Sequence, residues 1–73
     1  MTNTEQYCTL RCALHNASSF YATLAQAGLV ADPADLVKLF EAFPALISDY
    51  GPASHFYARM YGPRPYDATR IHA

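Results

Sequence analysis

Cys8, Cys12 and His15 stand at i, i+4 and i+7. On a helix these positions share a face, and two thiols with an imidazole are ligand types that zinc accepts. A fourth ligand would have to come from His55 or His72. The spacing argues the other way. Structural zinc sites usually pair close cysteines at a turn, and small thiols pack well on a buried helix face. Cys8 and Cys12 are therefore read as core residues, with no metal bound. Cys12 with His15 is equally poor as a nucleophile and base. A catalytic thiol needs a positive neighbour to lower its pKa and a third group to orient the base. Arg11 adjoins Cys12 in sequence but is expected to point to another helix face. The chain has no glycine-rich loop, paired-carboxylate signature or HExxH. A substrate pocket is also hard to build in 73 residues. The expectation is a protein that is not an enzyme and holds no cofactor.

The last quarter, FYARMYGPRPYDATRIHA, is chemically richer in another way. It holds Arg59, Arg64 and Arg70 with Tyr57, Tyr61 and Tyr66, and Asp67 is its only acid. The stretch from Asp32 to Asp49 is the reverse, with four acids against Lys38 alone. Arginine and tyrosine are enriched at protein-binding hot spots, where they give large contact area and planar, bidentate hydrogen bonding. Tyr61, Arg64, Tyr66 and Arg70 are read as arm contacts to a protein partner. Arg59 and Lys38 join them as contacts to RNA or to an acidic surface. Three arginines are few for a stand-alone RNA site but suit an auxiliary contact. The plainer alternative puts Phe56, Tyr57, Met60 and Tyr61 in the core with solvated arginines, and for Phe56 and Met60 it is preferred.

The segment around Gly28 has the outline of a helix-turn-helix. Its second helix would carry Asp32, Asp35 and Glu41 against Lys38. A recognition helix must face phosphates and base edges with basic or amide side chains, so sequence-specific DNA binding is not expected.

These residues need elements to position them. Leu10, Ala13, Leu14, Ala17, Phe20, Tyr21 and Leu24 recur every three or four residues, the period of one buried helix face. Gly28 is read as the stop beyond it. Asn16, Ser18 and Ser19 cluster mid-way and can cap a new start, so a break there is favoured over one long helix. Asp32-Pro33-Ala34-Asp35 is a sharper signal, with a capping aspartate, a proline suited to the first helical position and an acid in the first turn. Leu36, Val37, Leu39, Phe40 and Phe43 follow. Pro44 separates that helix from a short piece built on Ala45, Leu46, Ile47 and Tyr50, and Gly51 closes it. Pro52 is read as opening a last helix that Gly62-Pro63 ends. Strand signals are weak throughout. The fold expected is all-α, a small bundle of about four short helices in residues 1–61, followed by an extended or flexible arm over 62–73.

Composition agrees. The chain is 52% hydrophobic with a net charge of −1, so it can fold but has no strong overall field for DNA or an anionic membrane. A chain of this size buries only about 60% of its unfolded surface, so its stability is marginal. No run of apolar residues is long enough for a membrane span. The start, MTNTEQYCTLRC, lacks the build of a signal peptide, and the cytoplasm is the expected compartment.

With its helices and a basic, aromatic terminus (Arg59, Tyr61, Arg64, Tyr66, Arg70), the chain resembles the small phage-encoded host-takeover proteins. Among them it looks like the RNA-polymerase-binding transcription antiterminators of Xanthomonas phage. The resemblance is one of whole-chain build and rests on no diagnostic motif. It implies a monomer in the host cytoplasm that docks on the largest subunits of bacterial RNA polymerase near the RNA exit path. Such a protein blocks initiation by the host holoenzyme and lets polymerase read through terminators. Two alternatives stand beside it. One is an anti-CRISPR or other anti-defence inhibitor acting by protein binding. The other is an accessory interaction domain of a bacterial enzyme complex.

Overall fold

The computed structural model describes residues 1–62; Arg64, Tyr66 and Arg70, and the arm expected from 63 onward, lie outside the described residues. Five helices account for the described part: α1 Asn3–Asn16, α2 Ser19–Val30, α3 Pro33–Ala42, α4 Ala45–Tyr50 and α5 His55–Tyr61. There is no strand among the described residues, and the protein is all-α as its periodicity predicts.

Helix α1 is the hub. It packs against α2, α4 and α5, while α3 is carried on α2. Its start is fixed by a reciprocal cap that the sequence reading passed over. Thr2 Oγ1 accepts from the Glu5 N–H at 3.0 Å, and the Glu5 carboxylate accepts from the Thr2 N–H at 2.9 Å. Two of the four donors a helix start leaves unpaired are thereby satisfied. One turn on, Thr9, Leu10, Cys12 and Ala13 are buried. The Thr9 hydroxyl is wholly buried and donates to the Glu5 carbonyl at 2.7 Å, so burying it leaves no unpaired donor.

The break favoured near Asn16–Ser19 is present. Ala17 and Ser18 are both extended, with ψ of 167° and 170°, and they turn the chain between α1 and α2. Ser18 sits at the cap position of α2 but its hydroxyl makes no capping bond. The α1 end is held instead by Asn16, whose side-chain amide donates to the Cys12 carbonyl at 2.8 Å.

Gly28 is not a stop. Helix α2 continues past it to Val30, and Gly28 is buried inside the helix. A Cβ there would lie 2.7 Å from Leu10 Cδ2 and 2.9 Å from Leu39 Cδ2. The glycine is where α1 and α3 both lean onto α2, so its role is close approach.

Helix α3 starts as expected, with Asp32 Oδ1 accepting from the Asp35 N–H at 2.9 Å and Pro33 in the first position. Phe43 ends it with φ −129° and ψ 71°, outside the helical region that a following proline disfavours. Helix α4 buries Leu46 and closes at Gly51, whose N–H donates to the Ile47 carbonyl at 2.8 Å. Pro52 does not open the last helix. It lies in the turn before it, and Ser54 caps α5 by accepting from the Tyr57 N–H at 3.2 Å. A serine offers an acceptor that proline lacks, and that sets the start at His55. Gly62 ends α5 with φ 76° and ψ −178°, a conformation reserved for glycine.

The core is Leu10, Ala13, Ala25, Phe40 and Leu46, with Leu14, Tyr21, Leu24, Leu39 and Phe43 packed around it. Phe20 departs from the buried face predicted for it, being 57% exposed. It forms one corner of an edge-to-face triangle with Tyr21 and Phe43, at centroid distances of 5.3 and 5.7 Å. The triangle ties the start of α2 to the end of α3, at the far end of the two helices from their connection.

Candidate partner-binding face

Tyr7 and Arg11 are one turn apart on α1, the spacing at which helix side chains meet. Arg11 Nη1 donates to Tyr7 Oη at 3.2 Å, and the guanidinium carbon lies 5.8 Å from the Tyr7 ring centroid. Arg11 is half-buried and its Nε is sealed from solvent with no hydrogen-bond partner. An arginine held against an aromatic ring, with donor capacity to spare, is prepared for an incoming acceptor.

Tyr61 completes the face from α5. It is 41% exposed, as Tyr7 is 53% exposed, and it packs on Tyr57 at a centroid distance of 5.1 Å. Burial and then the Cys8 thiol push the Tyr61 hydroxyl up, while the Arg11 guanidinium pulls it down. Cys8, Arg11, Cys12 and Tyr7 therefore all act electrostatically on that one hydroxyl. Tyr57 is pushed up to about 12, by burial first and then by the Cys8 thiol. Both phenols are neutral near pH 7, which leaves Arg11 as the charge of the cluster. Arg11 shares the Tyr7 stripe of α1, one residue round the helix from the Cys8–Cys12 stripe, and its charge reaches the Tyr61 hydroxyl across the seam with α5.

Beyond Tyr7 a groove of about 260 Å³ opens between α1, the end of α2 and the start of α3. Leu10, Leu29 and Leu36 make its apolar floor, and Asn3 and Gln6 lie on its rim. Tyr7 borders both the groove and the Arg11 cluster, so the two form one surface.

The residues expected from sequence to bind a partner are distributed differently. Tyr61 is on this face, and Arg59 is exposed one turn from the end of the same helix. Lys38 is exposed on α3, a helix carried by α2 rather than by α1 or α5. Tyr7 and Arg11 were not singled out in the sequence. Their i, i+4 aromatic–arginine spacing was the available signal, though a common one on solvated helices.

Among the described residues no three of His, Cys, Asp and Glu are placed to hold a metal ion. His15 is exposed, and His55 packs edge-on against Phe56 at 5.9 Å. Cys12 is wholly buried, and burial pushes its thiol up, with Asn16 partly opposing. That is the opposite of what a nucleophilic cysteine needs. Among the described residues no helix is long and apolar enough to cross a membrane. No protein-family model, no curated protein and no solved structure matches this chain.

Proposed function

We propose that this chain is a non-enzymatic regulator that works by docking its α1–α5 face on a protein, and that the protein is bacterial RNA polymerase. The observation that carries the docking reading is Arg11. It is held by Tyr7, its charge acts on the Tyr61 hydroxyl, and its Nε is buried with no hydrogen-bond partner. Burying such a group against a partner's acceptor gains a charge-assisted hydrogen bond and covers two exposed rings. The polymerase assignment is supported by the resemblance in build alone. It carries with it block of initiation by the host holoenzyme and read-through at terminators. Arg59, with Arg64 and Arg70 of the segment beyond Gly62, then supplies charge for emerging RNA or an acidic rim of the enzyme, and Tyr66 adds ring contact; Lys38 serves the same purpose from α3.

The test is direct binding of purified bacterial core polymerase, followed by transcription across a terminator. The reading requires stable binding by the full-length chain, increased read-through, and loss of both with Arg11→Ala. No binding to polymerase sinks the partner. Binding that Arg11→Ala and Tyr61→Ala leave untouched sinks the face. Recovery of a defence nuclease complex in place of polymerase would make the chain an anti-defence inhibitor.

A further inference from the structure

We propose that two copies of this chain associate about a two-fold axis, through a strip of surface that runs from Arg11 on α1 to Glu41 on α3. The inference needs only the chain itself and does not rest on the polymerase reading.

The strip follows from what adjoins what. Arg11 Nη1 donates to Tyr7 Oη at 3.2 Å. Tyr7 and Gln6 line the groove between α1 and the start of α3. Gln6 also lines a second hollow, of about 320 Å³, whose walls include Met1, Val37 and Glu41. The order across the surface is therefore Arg11, Tyr7, Gln6, then Val37 with Glu41. A cation stands at one end and an exposed carboxylate at the other. Between them Tyr7, Val37 and Met1 are 53%, 51% and 51% exposed. Large apolar side chains gathered on one exposed patch mark an interaction surface.

The order of charges names the occupant. A strip that is positive at one end and negative at the other is complementary to itself turned end for end. A two-fold axis near Gln6 makes that turn. Arg11 of each copy then meets Glu41 of the other, and the contact is made twice, as a two-fold interface requires. Tyr7 and Arg11 are one turn apart on α1, as Val37 and Glu41 are on α3, so each charge arrives with an apolar neighbour. The Tyr7 ring, 5.8 Å from the guanidinium carbon, steadies a planar group suited to a carboxylate. Other occupants fit less well. Hollows of about 260 and 320 Å³ are at the bottom of the range for small-molecule sites. Glu41 repels a phosphate backbone. The association covers Arg11 and Tyr7, so it competes with any protein partner for that face.

The experiment is sedimentation equilibrium of the full-length chain over about 1 μM to 1 mM. Reducing buffer keeps the free thiols of Cys8 and Cys12 from linking copies. The proposal requires a concentration-dependent rise from the 8.1 kDa chain to twice that mass, weakened by added salt. Glu41→Arg and Arg11→Glu each set like charges together twice, and each should weaken association at least about tenfold. Mixed in equal amounts, the two variants should recover the dimer, because each offers the charge the other lacks. Arg11 is half-buried, so Arg11→Glu is used only if its circular dichroism matches the parent. Otherwise Glu41→Arg and Val37→Asp, both at exposed positions, decide, and each should weaken association about tenfold. A single mass of 8.1 kDa at every concentration, masses beyond the dimer, association indifferent to Glu41→Arg, or a mixture of charge variants that stays monomeric would each overturn the proposal.

Discussion

The Asn16 side chain reaches across the seam to Met60, 44 residues later in the chain, with its amide nitrogen 3.2 Å from the thioether sulfur. The same nitrogen donates to the Cys12 carbonyl. One exposed side chain thus both ends α1 and touches α5. Asn16→Ala should lower stability by about 1 kcal/mol, the net worth of a typical hydrogen bond. That is a fall of roughly 4–8 °C in melting temperature for a domain of this size. Ser18→Ala makes the contrast. Its hydroxyl caps nothing, so denaturant unfolding should show a change within about 0.5 kcal/mol.

Gly28→Ala sets two effects against each other. Alanine favours a helix interior over glycine by about 1 kcal/mol. The new methyl would meet Leu10 and Leu39 below 3.0 Å, and Leu10 is fully buried. Overpacking costs about 1–3 kcal/mol, so the substitution should destabilise on balance. A more stable Gly28→Ala protein in urea unfolding would show that the two leucines give way freely.

Alkaline pH should unfold the protein earlier than its charge alone would. A phenol whose folded pKa is raised contributes its full stability below its unfolded value of about 10 and loses it as pH climbs towards the folded value. Tyr57, held at about 12, acts in that window. Tyr50 and Tyr61 are raised as well, and the Cys12 thiol adds the same sign from a lower pH. Urea midpoints in reducing buffer should fall between about pH 9 and 12. Tyr57→Phe should flatten the upper part of the curve, and an unchanged slope would deny that Tyr57 is the group responsible.

Partner binding should concentrate on three side chains. Arg11→Ala and Tyr61→Ala are each expected to cost about 2 kcal/mol, roughly 30-fold in affinity for core polymerase. Tyr7→Phe keeps the ring and loses the bond to Arg11, and should cost less than either. Lys38→Ala, on α3, should act mainly through on-rate and salt dependence. Surface plasmon resonance at two ionic strengths separates these cases.

Legibility in the sequence followed how many jobs a residue type can do. Asp32-Pro33 could mean little besides a helix start, and the cap and the first-turn proline are both there. Thr2 and Glu5 have the spacing of a reciprocal cap, but the apolar period only begins at Leu10, so the first two turns of α1 went unread. Gly28 fits either a helix end or a close helix crossing, and only the positions of Leu10 and Leu39 decide. Pro52 misled because proline suits a helix start, whereas the hydroxyl of Ser54 two residues later captures the free N–H. Arg11 was missed for a related reason. Its importance comes from Tyr61, fifty residues away, and helical periodicity carries no information about which faces will meet.

Of the five described helices α1 leaves the ribosome first, yet two of those it packs against, α4 and α5, come after the others. Its apolar face can pair early only with α2. The Asn16–Met60 contact and the burial of Leu46 wait until almost the whole described chain has emerged. Loop closure over such a span is slow compared with local helix formation. During synthesis α1 and α2 would form an open hairpin with Cys8 and Cys12 uncovered, and cooperative folding would come only once α5 has emerged. Thiol labelling of stalled chains of increasing length would therefore drop in one step, between lengths that exclude α5 and lengths that include it.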